Sequence, residues 1–167
     1  MKRIIVIGSP GSGKSTFSRK LRDKTGLPLY YLDSIWHNPD RTTVTRKEFD
    51  EALGKILSTD SYIIDGNYSR TLEWRFKEAD TVFFMDIPTE ICLQGAISRI
   101  GEKREELPWL ETELDPGFKE WILGFPTRSL PQVLSLIEKY KDEKEIVVFK
   151  TRAESDEFIE KLAGCDL

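Results

Sequence analysis

Residues 4–16 read IIVIGSPGSGKST, so four β-branched residues run directly into a glycine-rich loop that ends in Lys-Ser-Thr. The loop from Gly8 to Ser15 matches the pattern G-x-x-x-x-G-K-[ST] in full. The apolar run before it predicts a strand buried on both faces, and the amphipathic stretch after it predicts a helix. In that setting the N–H groups of the loop and of the helix N-terminus face a phosphate. The segment therefore predicts a nucleotide-binding loop on an α/β fold.

Each part of the loop has a predicted role. Glycines permit the backbone conformations that a close approach to phosphate oxygens requires. Lys14 would reach the β- and γ-phosphates, the Ser15 hydroxyl would ligate Mg²⁺, and Thr16 would contact the α-phosphate. The alternative is a glycine turn beside a surface lysine, which the flanking strand and helix disfavour. The predicted nucleotide-binding residues are Gly8, Ser9, Pro10, Gly11, Ser12, Gly13, Lys14, Ser15 and Thr16.

Outward from the loop, apolar runs alternate with amphipathic stretches along the whole chain. After the first strand, at 4–7, strands are predicted at 29–32, 62–64, 82–85 and 146–149. The intervening helices are predicted at 14–24, 46–57, 89–100 and 130–137, with a closing helix around 158–162. This alternation predicts an α/β P-loop NTPase fold, a three-layer αβα arrangement with a five-stranded parallel sheet and a small helical lid.

Length and composition limit the class of protein. A chain of 167 residues predicts one domain, here residues 1–167. Hydrophobic residues make up 39% and charged residues 32%, which excludes a collagen-like or wholly disordered chain. No stretch approaches the roughly 20 apolar residues of a membrane span. Cys92 and Cys165 form no CxxC pair, as expected of a protein from a reducing compartment, so we expect a cytoplasmic protein without a membrane partner.

The charge balance disfavours one class of partner. Twenty-five basic and 29 acidic residues give a formal net charge of −4. A protein that coats DNA or RNA normally carries a basic excess to replace phosphate counterions. Direct nucleic-acid binding is therefore disfavoured, unless a local basic patch carries it.

Two acidic residues follow predicted strands. Ligands bind at the carboxyl ends of the strands in a parallel sheet, where Asp33 and Asp65 both lie. Asp65 follows a buried strand as a Walker-B-type acid does, so it is a candidate ligand of the Mg²⁺ shell. Asp33 lies where an acceptor would enter and could orient or deprotonate its hydroxyl group. A turn acid that caps the next segment is the alternative for Asp33.

Further stretches resemble a known family. The phosphate loop is followed by LDSIW at 32–36, IIDGNYSRT at 63–71 and FFMDIP at 83–88. This set resembles the adenylate-kinase-related small kinases, and it is most similar to the bacterial proteins labelled DNA topology modulation proteins. The resemblance covers residues 1 to about 162. It implies ATP and Mg²⁺ as cofactors and transfer of the γ-phosphoryl group to a small-molecule or nucleotide acceptor.

The resemblance also suggests acceptor-binding residues. Nucleoside monophosphate kinases carry D-G-[FY]-P-R-[TS] after the third strand, where the arginine grips the acceptor phosphate. This chain has the motif DGNYSRT at 65–71, one residue longer and without the proline. That difference places the monophosphate acceptor in question. The predicted acceptor-binding residues are Asp33, Trp36, Asn67, Arg70, Arg75 and Arg128.

Residues 99–128 are the candidate lid. Kinases of this group place arginines there, over the transferring phosphate, so Arg99 and Arg104 join Lys14 and Asp33 as candidate catalytic residues. Arginines are also common at helix C-termini for dipole reasons alone. The compositional break at 101–117 fits either a lid or a plain surface connection. Arg152 lies after the fifth strand, where related kinases contact the adenine.

A second function remains open on the sequence alone. The label carried by the most similar proteins suggests a nucleotide-binding regulatory protein that affects DNA topology without kinase activity. The net charge opposes it, and no helix carries a basic stripe with base-reading polar residues. The identity of the acceptor and the oligomeric state are not encoded in any of these motifs.

Overall fold

A computed structural model describes residues 1–162. Cys165 lies outside the described residues. The strands are β1 (Arg3–Gly8), β2 (Leu29–Tyr31), β3 (Tyr62–Asp65), β4 (Thr81–Met85) and β5 (Glu145–Phe149). The helices are α1 (Lys14–Thr25), α2 (Leu32–Trp36), α3 (Arg46–Leu57), α4 (Leu72–Glu78), α5 (Thr89–Ser98), α6 (Pro116–Leu123), α7 (Phe125–Arg128), α8 (Leu130–Tyr140) and α9 (Arg152–Lys161), with a 3₁₀ turn at Ser69–Thr71.

The five strands form one parallel sheet in the order β2-β3-β1-β4-β5. Side chains of the central strand alternate between two apolar cores, as a strand buried on both faces requires. Ile5 and Ile7 pack with α3, α4 and α8, whereas Ile4 and Val6 pack with α1, α5 and α9. The three-layer α/β P-loop fold is therefore confirmed, with the glycine-rich loop leaving the central strand.

Local sequence signals account for several helix ends. The Thr45 hydroxyl accepts a hydrogen bond from the Glu48 backbone N–H, and the Glu48 carboxylate accepts one from the Thr45 N–H at 2.7 Å, a complete capping box. The prediction for α3 is confirmed. The same T-x-x-E signal at Thr151 and Glu154 caps α9. The closing helix therefore begins at Arg152, six residues earlier than its apolar residues indicated.

Other element boundaries differ from the predictions. Leu32 does not end β2; it begins the five-residue helix α2. The helices α2, α4, α6 and α7 were not predicted, because each spans at most eight residues and shows too few apolar repeats to reveal a helical period. None of the helices within residues 1–162 is long and apolar enough to cross a membrane.

The segment at 99–115 joins α5 to α6 without regular secondary structure. It contacts α1 through Glu105, whose carboxylate lies 3.1 Å from the Arg22 guanidinium. It contacts α2 where the Ser34 hydroxyl donates to the Glu106 carbonyl at 3.0 Å. Trp109 meets His37 edge-on, with ring centroids 5.1 Å apart. The first part of the candidate lid therefore lies against α1 and α2.

Candidate active site

The glycine-rich loop depends on residues without side chains. Gly11 and Gly13 have φ angles of 78° and 102°. A Cβ atom on Gly11 would lie 1.9 Å from the Cys92 carbonyl oxygen of α5. The Arg152 guanidinium donates to the Gly11 carbonyl at 2.6 Å and to the Ser12 carbonyl at 3.3 Å. The loop is therefore held in its curved form by glycine conformation, by close packing on α5 and by Arg152.

Lys14 is the first residue of α1, and its ammonium group points back to the loop. Its Nζ donates to the Ser9 carbonyl at 2.9 Å. Loss of hydration lowers the pKa of Lys14, and the nearby Asp65 and Asp33 carboxylates act in the opposite direction. The ammonium thus contacts the phosphate loop and lies near the carboxylates of Asp65, which ends β3, and of Asp33 on α2.

Ser15 and Asp65 form a direct hydrogen bond. The Ser15 hydroxyl donates to Asp65 Oδ2 at 2.6 Å. Burial raises the pKa of Asp65 to about 6, although the Lys14 ammonium and the Ser15 hydroxyl both favour the carboxylate. Mg²⁺ prefers oxygen ligands and is commonly held by one or two side chains together with substrate phosphates. The paired hydroxyl and carboxylate oxygens fit that ion.

Asp33 lies on α2 next to the end of β2. The Tyr68 hydroxyl donates to Asp33 Oδ1 at 2.7 Å. Burial and the Asp33 carboxylate raise the pKa of Tyr68, so its phenol stays protonated and fixes the carboxylate. Oδ2 takes no hydrogen bond from residues 1–162. One carboxylate oxygen is therefore oriented and the other is available to a ligand.

The remaining acceptor-side candidates take up different positions. Trp36 packs edge-on against Phe49 and Tyr68, so its indole contributes to the protein core. The Asn67 side-chain oxygen accepts from the Gly8 N–H at 3.2 Å and ties the third strand's loop to the phosphate loop. Arg70 is exposed and pairs with Asp50 through two hydrogen bonds of 2.6 and 2.9 Å. These contacts give all three side chains structural roles in this structure.

Arg75 was predicted to bind the acceptor, but its side chain lies beneath the loop that follows β3. Its side chain is completely buried, whereas an acceptor ligand must reach the cleft. Its two terminal nitrogens donate to the Gly66 carbonyl at 2.7 Å and to the Tyr68 carbonyl at 2.8 Å. The guanidinium therefore supports the backbone of the DGNYS stretch from beneath.

Arg99 and Arg104 line the same cavity as the phosphate loop. The cavity has a volume of about 540 Å³, and its wall includes Gly13, Ser15, Thr16, Arg19, Arg99, Arg104 and Arg152. The buried Glu106 carboxylate lies 3.4 Å from Arg104 and 3.9 Å from Arg99. Arg128 does not line this cavity. It stacks on the Trp121 indole at 3.4 Å and donates to the Trp121 carbonyl.

The sequence reasoning missed two members of this cluster. Arg19 lies one helical turn after Ser15, so both side chains share one face of α1, and this i,i+4 spacing was the available signal. Its guanidinium lies 3.3 Å from Glu106 and 3.3 Å from the Thr16 hydroxyl. Glu106 itself carried no signal, because it belongs to an acidic run without helical or strand period.

Comparison with known proteins agrees with the fold. The chain is 32% identical to an adenylate kinase of Mesomycoplasma hyopneumoniae, over a match that covers 59% of this chain and 58% of that enzyme. The chain thus spans somewhat more than half the length of this relative. No family model matches this chain.

Solved structures add further likenesses. A shikimate kinase from Acinetobacter baumannii has a TM-score of 0.64 at 13% identity, covering 98% of this chain and 91% of that one. A gluconokinase from Sinorhizobium meliloti has a TM-score of 0.54 at 15% identity, covering 96% and 89%. At these identities the likeness concerns the fold. The chain is therefore similar in sequence to adenylate kinases and has the three-layer fold of P-loop kinases.

Proposed function

We propose that this chain is a Mg²⁺-dependent kinase that transfers the γ-phosphoryl group of ATP to a hydroxyl group of a small acceptor. The observation that carries the proposal is the convergence of three kinds of group at one edge of the sheet. Lys14 donates to the phosphate loop, the Ser15 hydroxyl donates to Asp65 beside it, and Asp33 Oδ2 accepts no hydrogen bond from the described residues. The sequence similarity to adenylate kinases supports phosphoryl transfer, and the choice of a hydroxyl acceptor rests on the site itself.

On the donor side, the loop N–H groups and Lys14 would bind the phosphates of ATP. Arg99 and Arg104 line the adjoining cavity, where positive charge stabilises the negative charge that develops on the γ-phosphoryl oxygens. Mg²⁺, held by Ser15 and Asp65, would neutralise phosphate charge when bound. Arg152 holds the loop at Gly11 and Ser12, where the phosphates would bind.

On the acceptor side, Asp33 is the candidate base. As the acceptor oxygen forms its bond to phosphorus and the bond from phosphorus to the ADP oxygen breaks, the acceptor proton would pass to Asp33 Oδ2. The Tyr68 hydroxyl holds the other oxygen at 2.7 Å and so positions the carboxylate. This arrangement requires only a hydroxyl group on the acceptor.

The positions of two arginines bear on the acceptor class. A nucleoside monophosphate needs a free cation to grip its phosphate. Arg75 is buried against two backbone carbonyls, and Arg70 is paired with Asp50. The burial of Arg75 favours a hydroxylated small molecule over a nucleoside monophosphate.

The test is ADP release from Mg·ATP in the presence of a panel of acceptors. The panel holds nucleoside monophosphates, nucleosides and small hydroxylated metabolites, and the Lys14→Ala variant is the blank. We expect one acceptor class to stimulate ADP release in the native chain alone. Tight ATP binding without acceptor-dependent turnover would contradict the proposal and would favour the nucleotide-binding regulatory protein.

Asp33→Asn separates the two half-sites. We expect it to lower the acceptor-dependent rate by about 100-fold or more, because general-base catalysis contributes about that much. Acceptor-independent ATP hydrolysis should remain within about twofold, since Asp33 is not assigned to the donor side. Initial rates of ADP formation with and without acceptor measure both.

Asp86→Asn is the matched control. Asp86 follows β4 as Asp33 follows β2, but it pairs with Lys150. This variant should leave both rates near the native values. Equal loss of both rates in Asp33→Asn would remove Asp33 from the acceptor site.

A further inference from the structure

Glu106 is a buried acid at a site that must accept phosphates. Its side chain is 4% exposed, and three arginines surround its carboxylate. Arg19 comes from α1, Arg99 follows α5, and Arg104 belongs to the same segment as Glu106 itself. All four residues line the cavity that also includes Ser15 and Thr16. The proposed transfer reaction assigns no role to this carboxylate.

The contacts between the Glu106 carboxylate and the arginines are long. The three guanidinium groups lie 3.3, 3.4 and 3.9 Å from its oxygens. Elsewhere in the described chain, arginine–carboxylate pairs lie between 2.6 Å at Arg70–Asp50 and 3.1 Å at Arg22–Glu105. The Arg99 Nε is buried without a hydrogen-bond partner in residues 1–162. Three guanidinium groups therefore face only two carboxylate oxygens. A phosphate group with three terminal oxygens would use the N–H donors that Glu106 leaves without a partner.

The backbone fixes Glu106 in this place. Its carbonyl accepts from the Ser34 hydroxyl at 3.0 Å, next to Asp33 on α2. Arg19 also donates to the Thr16 hydroxyl at 3.3 Å, so the cluster is continuous with the phosphate loop. The Glu106 carboxylate and a bound phosphate group would therefore compete for the same arginines.

We propose that Glu106 is an internal substitute for a phosphate group, which neutralises Arg19, Arg99 and Arg104 until a nucleotide phosphate replaces it. The proposal rests on the proposed function only in assigning nucleotide phosphates to this cavity. Glu106 neutralises the three like charges when no ligand is bound. Because a phosphate ligand must first displace this carboxylate, Glu106 lowers the affinity of the site for every such ligand. It is a positioning residue and takes no part in bond formation.

The test is the affinity of the full chain and of Glu106→Gln for ADP and for inorganic pyrophosphate, measured by calorimetric titration. Glutamine keeps the size of the side chain and removes the competing charge. We expect both probes to bind Glu106→Gln at least about tenfold more tightly, because a charge-assisted contact no longer has to be broken. Glu113→Gln is the matched control: it changes an exposed acid of the same segment that does not line the cavity, and it should leave both affinities unchanged.

Unchanged or weaker binding by Glu106→Gln would overturn the proposal, since it would mean that the carboxylate helps to build the phosphate site. Failure of every variant to bind either probe would overturn it as well. If Glu106→Gln does not fold, Glu106→Asp replaces it. The shorter carboxylate withdraws from the arginines, so both probes should bind Glu106→Asp more tightly than they bind the native chain, and no rise in affinity overturns the proposal.

The outcomes separate this inference from the proposed function. Suppose that Glu106→Gln binds pyrophosphate more tightly but the chain transfers phosphate to no acceptor. That result would support the replacement of Glu106 by phosphate and contradict the proposed kinase activity. Acceptor-dependent transfer with unchanged affinity in Glu106→Gln would support the kinase activity and contradict the role of Glu106.

Discussion

Lys14→Ala is expected to lower phosphoryl transfer at least about 100-fold, because removing one preorganised cation or donor from a transferring group costs about that much. The ammonium lies near the carboxylates of Asp65 at the end of β3 and of Asp33 on α2. Its only hydrogen bond within the described chain is to the Ser9 carbonyl. The fold should therefore survive, and thermal unfolding followed by circular dichroism should stay close to that of the native chain.

Lys24→Ala is the matched control for Lys14→Ala. Lys24 lies in the last turn of the same helix, exposed and away from the phosphate loop. Its removal should leave the rate unchanged. Turnover by Lys14→Ala equal to that of Lys24→Ala would show that the phosphate loop does not act in the reaction.

Arg75→Ala is expected to be the most destabilising substitution considered. It leaves the Gly66 and Tyr68 carbonyls without their buried donor and opens a cavity under the acceptor-side loop. Unpaired buried carbonyls and lost packing together cost about 3–5 kcal/mol in the free energy of unfolding. Urea unfolding of native and variant chains measures the difference.

Arg70→Ala is the control for this prediction. Its exposed ion pair with Asp50 contributes little, so the variant should unfold near the native midpoint. Arg75→Ala with native stability and a raised KM for the acceptor would contradict the structural role. It would return Arg75 to the acceptor site that the sequence motif suggested.

The fold was predictable because its signals are local and periodic. The glycine-rich loop identified its flanking strand and helix, and the apolar runs gave the five strands, of which β1, β3 and β4 are largely buried. Helix α3 lies where its apolar repeat predicted it, and it begins at the Thr45 capping box. Short elements such as α2 were missed, because five residues cannot display a helical period.

The arrangement of the candidate site could be predicted where neighbouring strands end together. Asp65 lies beside the phosphate loop because β3 pairs with β1 and both strands end at the same edge of the sheet. The burial of Arg75 could not be predicted, because it depends on how α4 packs and no sequence motif indicates that packing. Glu106 reaches Arg19 across 87 positions of sequence. A contact over that distance becomes visible only when the chain is folded.

The most direct test of the proposed function is ³¹P NMR of Mg·ATP incubated with the chain and the pooled acceptors. We predict that the γ-phosphate signal decays while ADP and a new phosphate-ester signal grow in equal amounts, and that neither appears with Lys14→Ala. Decay of ATP to ADP and inorganic phosphate alone, or no decay at all, would contradict the assignment of this chain as a kinase.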